Sequence, residues 1–315
     1  MSSFCTPSSQ ARTACVPQAY STIMTSPVSF DSQQTTAEDQ SQMMDDCTVL
    51  VDGHVHLHRK FDLATVFDQA ARNFRSRAGT FGFTGQFFGC LFMAESAGVN
   101  RFEELAGETG HSLGRWSIRS DAWGKSIVAI CSGEPTLVLI AGRQIRTREG
   151  LEVLAIGCTQ HFGEGDAFDV VVARTIAECS LCIVPWGFGK WTGHRGALVK
   201  KLMRSAAADK IYLGDNGGRL QWRRPPELFA IAEEQSIPVL PGSDPFPFAR
   251  DAGRLGSYGF VLRGCIDPHN LGASILDLIL KKRRQPAGYG RRAGVVGFVR
   301  NQFAIQMRNR LFQRR

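Results

Sequence analysis

From about residue 167 to 265 the chain alternates between helical patterns and short apolar strands at near-constant spacing, and this alternation narrows the possible folds most. A helical pattern at 167–178 precedes LCIVPW, one near 194–206 precedes IYLGD, and one near 226–235 precedes IPVLPGSD, with GFVLRG following at 259. Strands separated by single helices form parallel β/α units, because parallel neighbours need a crossover and a helix is the usual one. The first half has another texture. TVLVDGHVHLH reads as a strand ending in a polar edge, and residues 62–74 carry Leu63, Val66, Phe67, Ala70 and Phe74 at helical period. After the apolar run FFGCLFMAE, the short runs RWSIRS, SIVAICS, TLVLIAGRQIRTR and LEVLAIG over 112–157 are broken by Gly, Pro and Ser and predict an antiparallel patch. The expectation is an α/β fold: a TIM-like β/α barrel, incomplete or distorted, with an antiparallel patch in its first half. An open doubly wound sheet is the alternative, and spacing does not separate the two.

The ends differ from this body. Residues 1–46 are rich in Ser, Thr, Gln and Met and lack Trp and Lys. Such a segment buries too little apolar surface to offset its ordering entropy, so disorder is expected there. Met43 and Met44 stand just before the first credible strand, so an over-extended start would give the same pattern. Residues 281–315 hold eleven Lys and Arg and no acid, against a whole-chain charge of +8, so the preceding residues sum to −3. The basic character therefore belongs to a tail: a flexible stretch, KKRRQPAGYGRR, then Val296, Val299, Phe303, Met307 and Leu311 at helical spacing. Such a helix packs on the body or docks on an acidic partner, an anionic membrane surface or nucleic acid. The domains expected are 1–46, 47–280 and 281–315. With no spanning apolar run, no visible secretory leader and nine scattered cysteines, a cytoplasmic protein with reduced thiols is expected.

VDGHVHLH (51–58) raises the chemical question. Residues two apart in a strand share a face, so His54, His56 and His58 point together, and the first two can share one ion. Val49, Val51, Val55 and Leu57 supply the apolar side expected of an internal strand.

In the form D-G-H-V-H-L the segment resembles the first-strand signature of metal-dependent barrel hydrolases, namely the amidohydrolase superfamily and the polymerase-and-histidinol-phosphatase (PHP) phosphoesterases. LPGSDPFPF (240–248) resembles their late-strand element, with Asp244 after a Gly-Ser turn. The likeness extends diffusely over about 48–265. It implies a divalent ion (Zn, Mn or Fe) held by His54, His56 and Asp244, completed by Glu95 at the end of FFGCLFMAE or by Glu152, which is similar to a middle-strand Glu of PHP proteins. The chain departs from these families in the middle, where VPWGFGKW and YLGDNGGR carry no histidine. His161 and His194, each in a Gly-containing loop, are the nearest substitutes; His111 and His269 are not at strand ends.

PWGFGKWTGHRG (185–196) is the second feature. Its glycines let backbone approach a ligand, Lys190, His194 and Arg195 add positive charge, and a helix N-terminus follows, which favours an anion. Arg219 after IYLGD and Arg254 after the GSD strand repeat the theme. Cys179 and Cys182 in CSLC lack a partner pair, and no function is assigned to them. The leading expectation is a metal-dependent hydrolase acting on a small anionic substrate, phosphoester preferred over an amide or cyclic C–N bond. A metal-activated water would be the nucleophile and Asp244 or Asp215 the proton acceptor, with Lys190, His194, Arg195, Arg219 and Arg254 facing the substrate. The alternatives are a degenerate barrel that only binds an anionic ligand or protein, and a nuclease-like barrel with a nucleic-acid arm.

Overall fold

A computed structural model describes residues 44–83, 85–134, 136–220 and 225–292, all within one compact unit. The disorder expected over 1–46 lies outside the described residues except at 44–46, which belong to a strand instead, and the amphipathic helix expected after 292 lies outside them too.

The described residues open with β1 (Met44–Val55), whose Val49, Leu50 and Val51 are fully buried, as a strand covered on both faces requires. Helix α1 (Leu63–Thr80) is capped by Asp62, whose carboxylate accepts from Thr65 N at 2.9 Å, and it buries Val66, Phe67, Ala70 and Phe74 along one stripe. Next come β2 (Phe87–Met93), α2 (Arg101–Gly107), β3 (Ser112–Leu113), β4 (Trp116–Ser120), β5 (Ser126–Ile130) and β6 (Thr136–Ile140). After Ala141 the chain passes directly into β7 (Gly142–Arg146) and β8 (Glu152–Ile156). The β/α rhythm then runs α3 (Phe168–Glu178), β9 (Leu181–Pro185), α4 (Gly193–Met203), β10 (Ile211–Asn216), α5 (Glu227–Glu234), β11 (Val239–Gly242). The chain continues through β12 (Tyr258–Ile266), α6 (Leu271–Lys282) and β13 (Ala287–Gly290).

These strands form two sheets and no closed barrel, which corrects the expected TIM-like architecture. The eight-stranded sheet runs β13-β12-β1-β2-β6-β5-β4-β3, and the five-stranded sheet runs β11-β10-β9-β8-β7. Only β1-β2-β6 and β9-β10-β11 are parallel sets. The runs over 112–157 do pair antiparallel, but they are divided between the sheets, β3–β6 in one and β7–β8 in the other. One pairing between distant segments prevents a barrel: β12 lies antiparallel along β1 from Met44 to Val51 and occupies the edge that ring closure would need.

Three apolar clusters separate the layers. Leu50, Val55 and Leu57 pack with Val66, Phe67 and Phe74 beneath α1. Val49 and Val51 pack with Leu154, Ile156, Leu181, Ile183 and the α6 residues Ile275 and Ile279. On the far side of the smaller sheet, Val153, Val184 and Leu213 pack on α3, α4 and α5 through Val171, Val199 and Leu228. The stretch 281–292, expected as a flexible basic segment, is built into this body. Lys281 and Lys282 finish α6, β13 pairs with β12, and the buried Tyr289 hydroxyl donates to Val51 O at 3.2 Å.

One detail of β1 positions everything that follows. Its pairing with β2 slips between Asp52 and Val55, three steps against two on β2, which is a β-bulge. Val49 and Val51 therefore face the smaller sheet, whereas Val55 and Leu57 face α1. The single apolar face read from the sequence is really two half-faces of opposite sense.

Candidate metal centre

After the bulge, His54 and His56 alternate with Val55 and Leu57 and so face away from α1, toward the carboxyl ends of the smaller sheet. The two sheets touch there. Asp244 N donates to His54 O at 2.9 Å, beyond the end of β11, while Glu95 N donates to Gly142 O and Gln144 N to Glu95 O at the entry to β7. The first contact needs glycine. A Cβ on Gly242 would stand 2.3 Å from His54 N and 2.5 Å from His54 Cβ. Asp244 follows with φ 45°, a left-handed conformation that Asp tolerates better than most residues at a cost of about 1 kcal/mol or more. Its N–H is spent on β1, and the side chain turns to the histidines.

Four ligand-type atoms converge. His54 Nε2 lies 3.1 Å from His56 Nε2, 3.0 Å from Gln144 Oε1 and 3.7 Å from Asp244 Oδ1, and His56 Nε2 lies 3.4 Å from Asp244 Oδ1. The ligand atoms of His54, His56 and Asp244 all lie within 4.8 Å of one another. Burial lowers the His54 pKa, against the opposing pull of Asp244, so its imidazole is neutral at neutral pH. Burial would raise Asp244, but His54, the His56 hydrogen bond and Arg254 together hold it well below the usual carboxylate range. The donor set suits a small cation. A single His54 Nε2 proton can serve only one of its three polar neighbours, whereas an ion accepts lone pairs from all of them.

Supporting groups fix this geometry. Asn216 Nδ2 donates to Asp244 Oδ2, leaving Oδ1 toward the histidines, and Asn216 Oδ1 accepts from Gly218 N at 2.6 Å. Asp52, fully buried, accepts from Ser243 N at 2.7 Å and Gly256 N at 2.9 Å, tying β1 to the segment that carries Asp244. Burial pushes the Asp52 carboxyl up to about 6 despite those donors. His56 and Asp244 open onto a cleft of about 370 Å³ whose wall includes His58, Gln144, Glu152, Trp186, Lys190 and Asn216, with His54 buried behind them.

The other residues singled out by sequence fall variously. Glu152 faces this cleft but is ion-paired with Lys190 and is not in the ligand cluster. Glu95 is turned away: buried, it accepts from Phe102 N at 2.8 Å and pairs with Arg143 Nη1 at 2.9 Å. It pins β2 to β7 and is no metal ligand here. Asp215 is also removed from the cluster, because Arg219 grips it through Nε and Nη2 at 2.7 and 2.8 Å and Tyr258 donates to it at 2.6 Å. Held by these donors, the carboxylate faces Arg219 and Tyr258 and stands outside the ligand cluster at the histidines. Arg254 lies beside Asp244, close to Gly217. His194 is exposed at the start of α4, and Arg195 donates to Gly189 O at 2.8 Å, so neither lines the cleft. His58 Nε2 pairs with Pro245 O at 2.9 Å, and His161 faces Glu103.

Gln144 and Asn216 escaped the sequence reading. Asn216 follows Asp215 directly, and alternation means that only one of the two can face the cleft; the amide holds that position. Gln144 sits within an Arg-flanked strand, where an amide gives no signal of its own.

No family model and no curated protein matches the chain. Among solved structures, it is similar to PsfC from Pseudomonas syringae at 12% identity and a TM-score of 0.48, over 85% of this chain and 100% of that one. Likeness at that level carries no argument about family or chemistry.

Proposed function

We propose that the protein is a metal-dependent hydrolase of a small anionic substrate, phosphoester preferred, built on His54, His56 and Asp244. The observation that carries this reading is the convergence of these three side chains with Gln144 at the head of a cleft containing Lys190. A divalent ion (Zn, Mn or Fe) on these donors supplies a Lewis acid and a water acidic enough to ionise near neutral pH. His54 and His56 offer imidazole nitrogens, and Asp244 offers one charged oxygen while Asn216 restrains the other. Lys190 Nζ, held by Glu152, is the cation on the cleft wall and offsets substrate charge. Glu152 also lies where it can accept a proton, a role that the gripped Asp215 cannot fill. Because Glu152 already neutralises much of Lys190, an amide or cyclic C–N substrate of lower charge is the second reading.

No helix among the described residues is long and apolar enough to cross a membrane. Buried, unbridged thiols at Cys90, Cys131, Cys158 and Cys182 suit a reducing compartment, and we place the protein in the cytoplasm on that ground. The test is elemental analysis of the purified protein, with reconstitution by Zn, Mn and Fe, and phosphatase and amidase panels on wild type and on His54→Ala/His56→Ala. The reading expects one or more ions per chain and metal-stimulated turnover that the double variant loses. Protein that holds no metal and shows no metal-stimulated activity refutes it.

A further inference from the structure

A cavity of about 410 Å³ opens where the end of α1, the strand β12 and the end of α6 meet, on residues that the metal reading does not use. Its floor is apolar and recessed. Leu240, Leu262, Leu278 and Ile279 line it, each between 3% and 9% exposed. One wall is aromatic: Phe81 and Phe83, just past α1, stack with ring centroids 5.8 Å apart, and Phe81 is 37% exposed. Apolar surface therefore continues from the floor of the hollow to its mouth.

The rim is cationic. Arg263, Lys282 and Arg284 border the cavity, all three exposed, and among the described residues no acid lines it with them. None of the three makes an ion pair among the described residues. Arg263 lies over the Phe83 ring at 4.5 Å, the Lys282 ammonium donates to Arg263 O, and Asp277 of the same helix is taken by Lys281 at 3.1 Å. Lys282 thus sits on the backbone of a residue whose own side chain is another cation. Like charges placed side by side repel, and an anion seated among them turns that cost into attraction. The cluster is also more than a run of basic sequence. Arg283, between Lys282 and Arg284, is turned elsewhere and donates to Ala208 O and Ile211 O at 2.8 and 2.9 Å.

An apolar hollow with a few convergent polar groups is the usual form of a small-ligand site. The floor asks for a chain that inserts, and the exposed rim asks for a negative head that stays near water. A bilayer surface fits less well, because docking on lipid needs apolar side chains that protrude, and of those lining the floor none does.

We propose that this cavity binds a single-chain acyl anion, a fatty carboxylate or alkyl phosphate. The head lies among Arg263, Lys282 and Arg284, and the chain runs over Leu262, Leu278 and Ile279 against the Phe81–Phe83 wall. The proposal does not depend on the metal reading and uses none of the metal-binding side chains.

Binding of decanoate is measured on the full chain by calorimetry. Acetate is the control for the head alone, and decyltrimethylammonium for the chain with the opposite charge. Decanoate binds and neither control does. Shortening the chain toward hexanoate weakens binding by about two- to fourfold per methylene removed. Arg284→Glu, at an exposed position without a hydrogen bond among the described residues, weakens decanoate binding by about fivefold or more with an unchanged circular dichroism spectrum. His54→Ala/His56→Ala binds like wild type. Phosphatidylglycerol vesicles supply the competing arm: a protein that sediments with them but does not bind decanoate uses this face on membranes, and the proposal is overturned. It is overturned as well if decanoate does not bind at millimolar concentration, if decyltrimethylammonium binds equally, or if Arg284→Glu leaves the affinity unchanged.

Discussion

Gly242→Ala tests whether close contact between β1 and β11 is what assembles the candidate centre. The new methyl carbon would stand 2.3 Å from His54 N and 2.5 Å from His54 Cβ, both fixed by a central strand. Relief requires moving one strand by about 1 Å, since non-bonded heavy atoms settle near 3.5 Å. Overpacking of this kind costs about 1–3 kcal/mol, and the Asp244 N to His54 O hydrogen bond, 2.9 Å in the native protein, is worth about 1 kcal/mol more. A loss of about 2–4 kcal/mol should lower Tm by roughly 5–15 °C for a domain of this size. The same displacement draws Asp244 Oδ1 away from the imidazoles, so metal affinity should fall by about 10–100-fold, the range seen when groups supporting a metal ligand are lost. Urea denaturation gives the first number and competition with a chromophoric chelator the second. Gly288→Ala is the control, because its nearest contact would be an ordinary 3.7 Å. If Gly242→Ala melts within a degree or two of wild type and binds metal equally well, the contact does not set the site.

Three other outcomes are expected. Asn216→Leu removes the restraint on Asp244 Oδ2 and should reduce metal affinity by about 10–100-fold with little change in Tm; unchanged affinity in the chelator assay refutes the positioning role. Glu95→Gln breaks a buried ion pair and should cost about 3 kcal/mol or more in urea while leaving metal stoichiometry at the wild-type value, whereas a true ligand would lose the ion. Iodoacetamide at pH 8 should modify the exposed Cys265 and spare Cys182, whose thiol burial pushes up to about 12; equal labelling of both in a peptide-mass experiment would contradict that burial.

How much of this could be read in the residues depends on the range of the forces involved. The β/α rhythm after 167 and the helix over 62–74 follow from local periodicity, and each helix and strand appears at its place within a few residues. Sheet partnership is non-local. Nothing in GFVLRG says that β12 will lie antiparallel against β1, and that one pairing separates two facing sheets from a barrel. At the site, H-x-H and the GSD turn carried real information, because both are close-range arrangements of ligand-type side chains. Glu95, Glu152 and Asp215 looked alike as acids at strand ends. What distinguishes them is the partner each meets, Arg143, Lys190 or Arg219, supplied by distant segments.

The extra residue in β1 frees the histidines from the parity of the strand that carries them. Under unbroken alternation Val49, Val51, Val55 and Leu57 would share one face, and both imidazoles would fall into the oily space under α1 now filled by Val55 and Leu57. The bulge between Asp52 and Val55 gives that space to the aliphatic pair and keeps the imidazoles over the smaller sheet. Ironing the bulge out with every residue retained would therefore bury two polar rings, whereas removing one residue at Gly53 would leave both imidazoles on their present side. A single spare residue thus lets a hydrophobic stem and a chemically active tip share one strand.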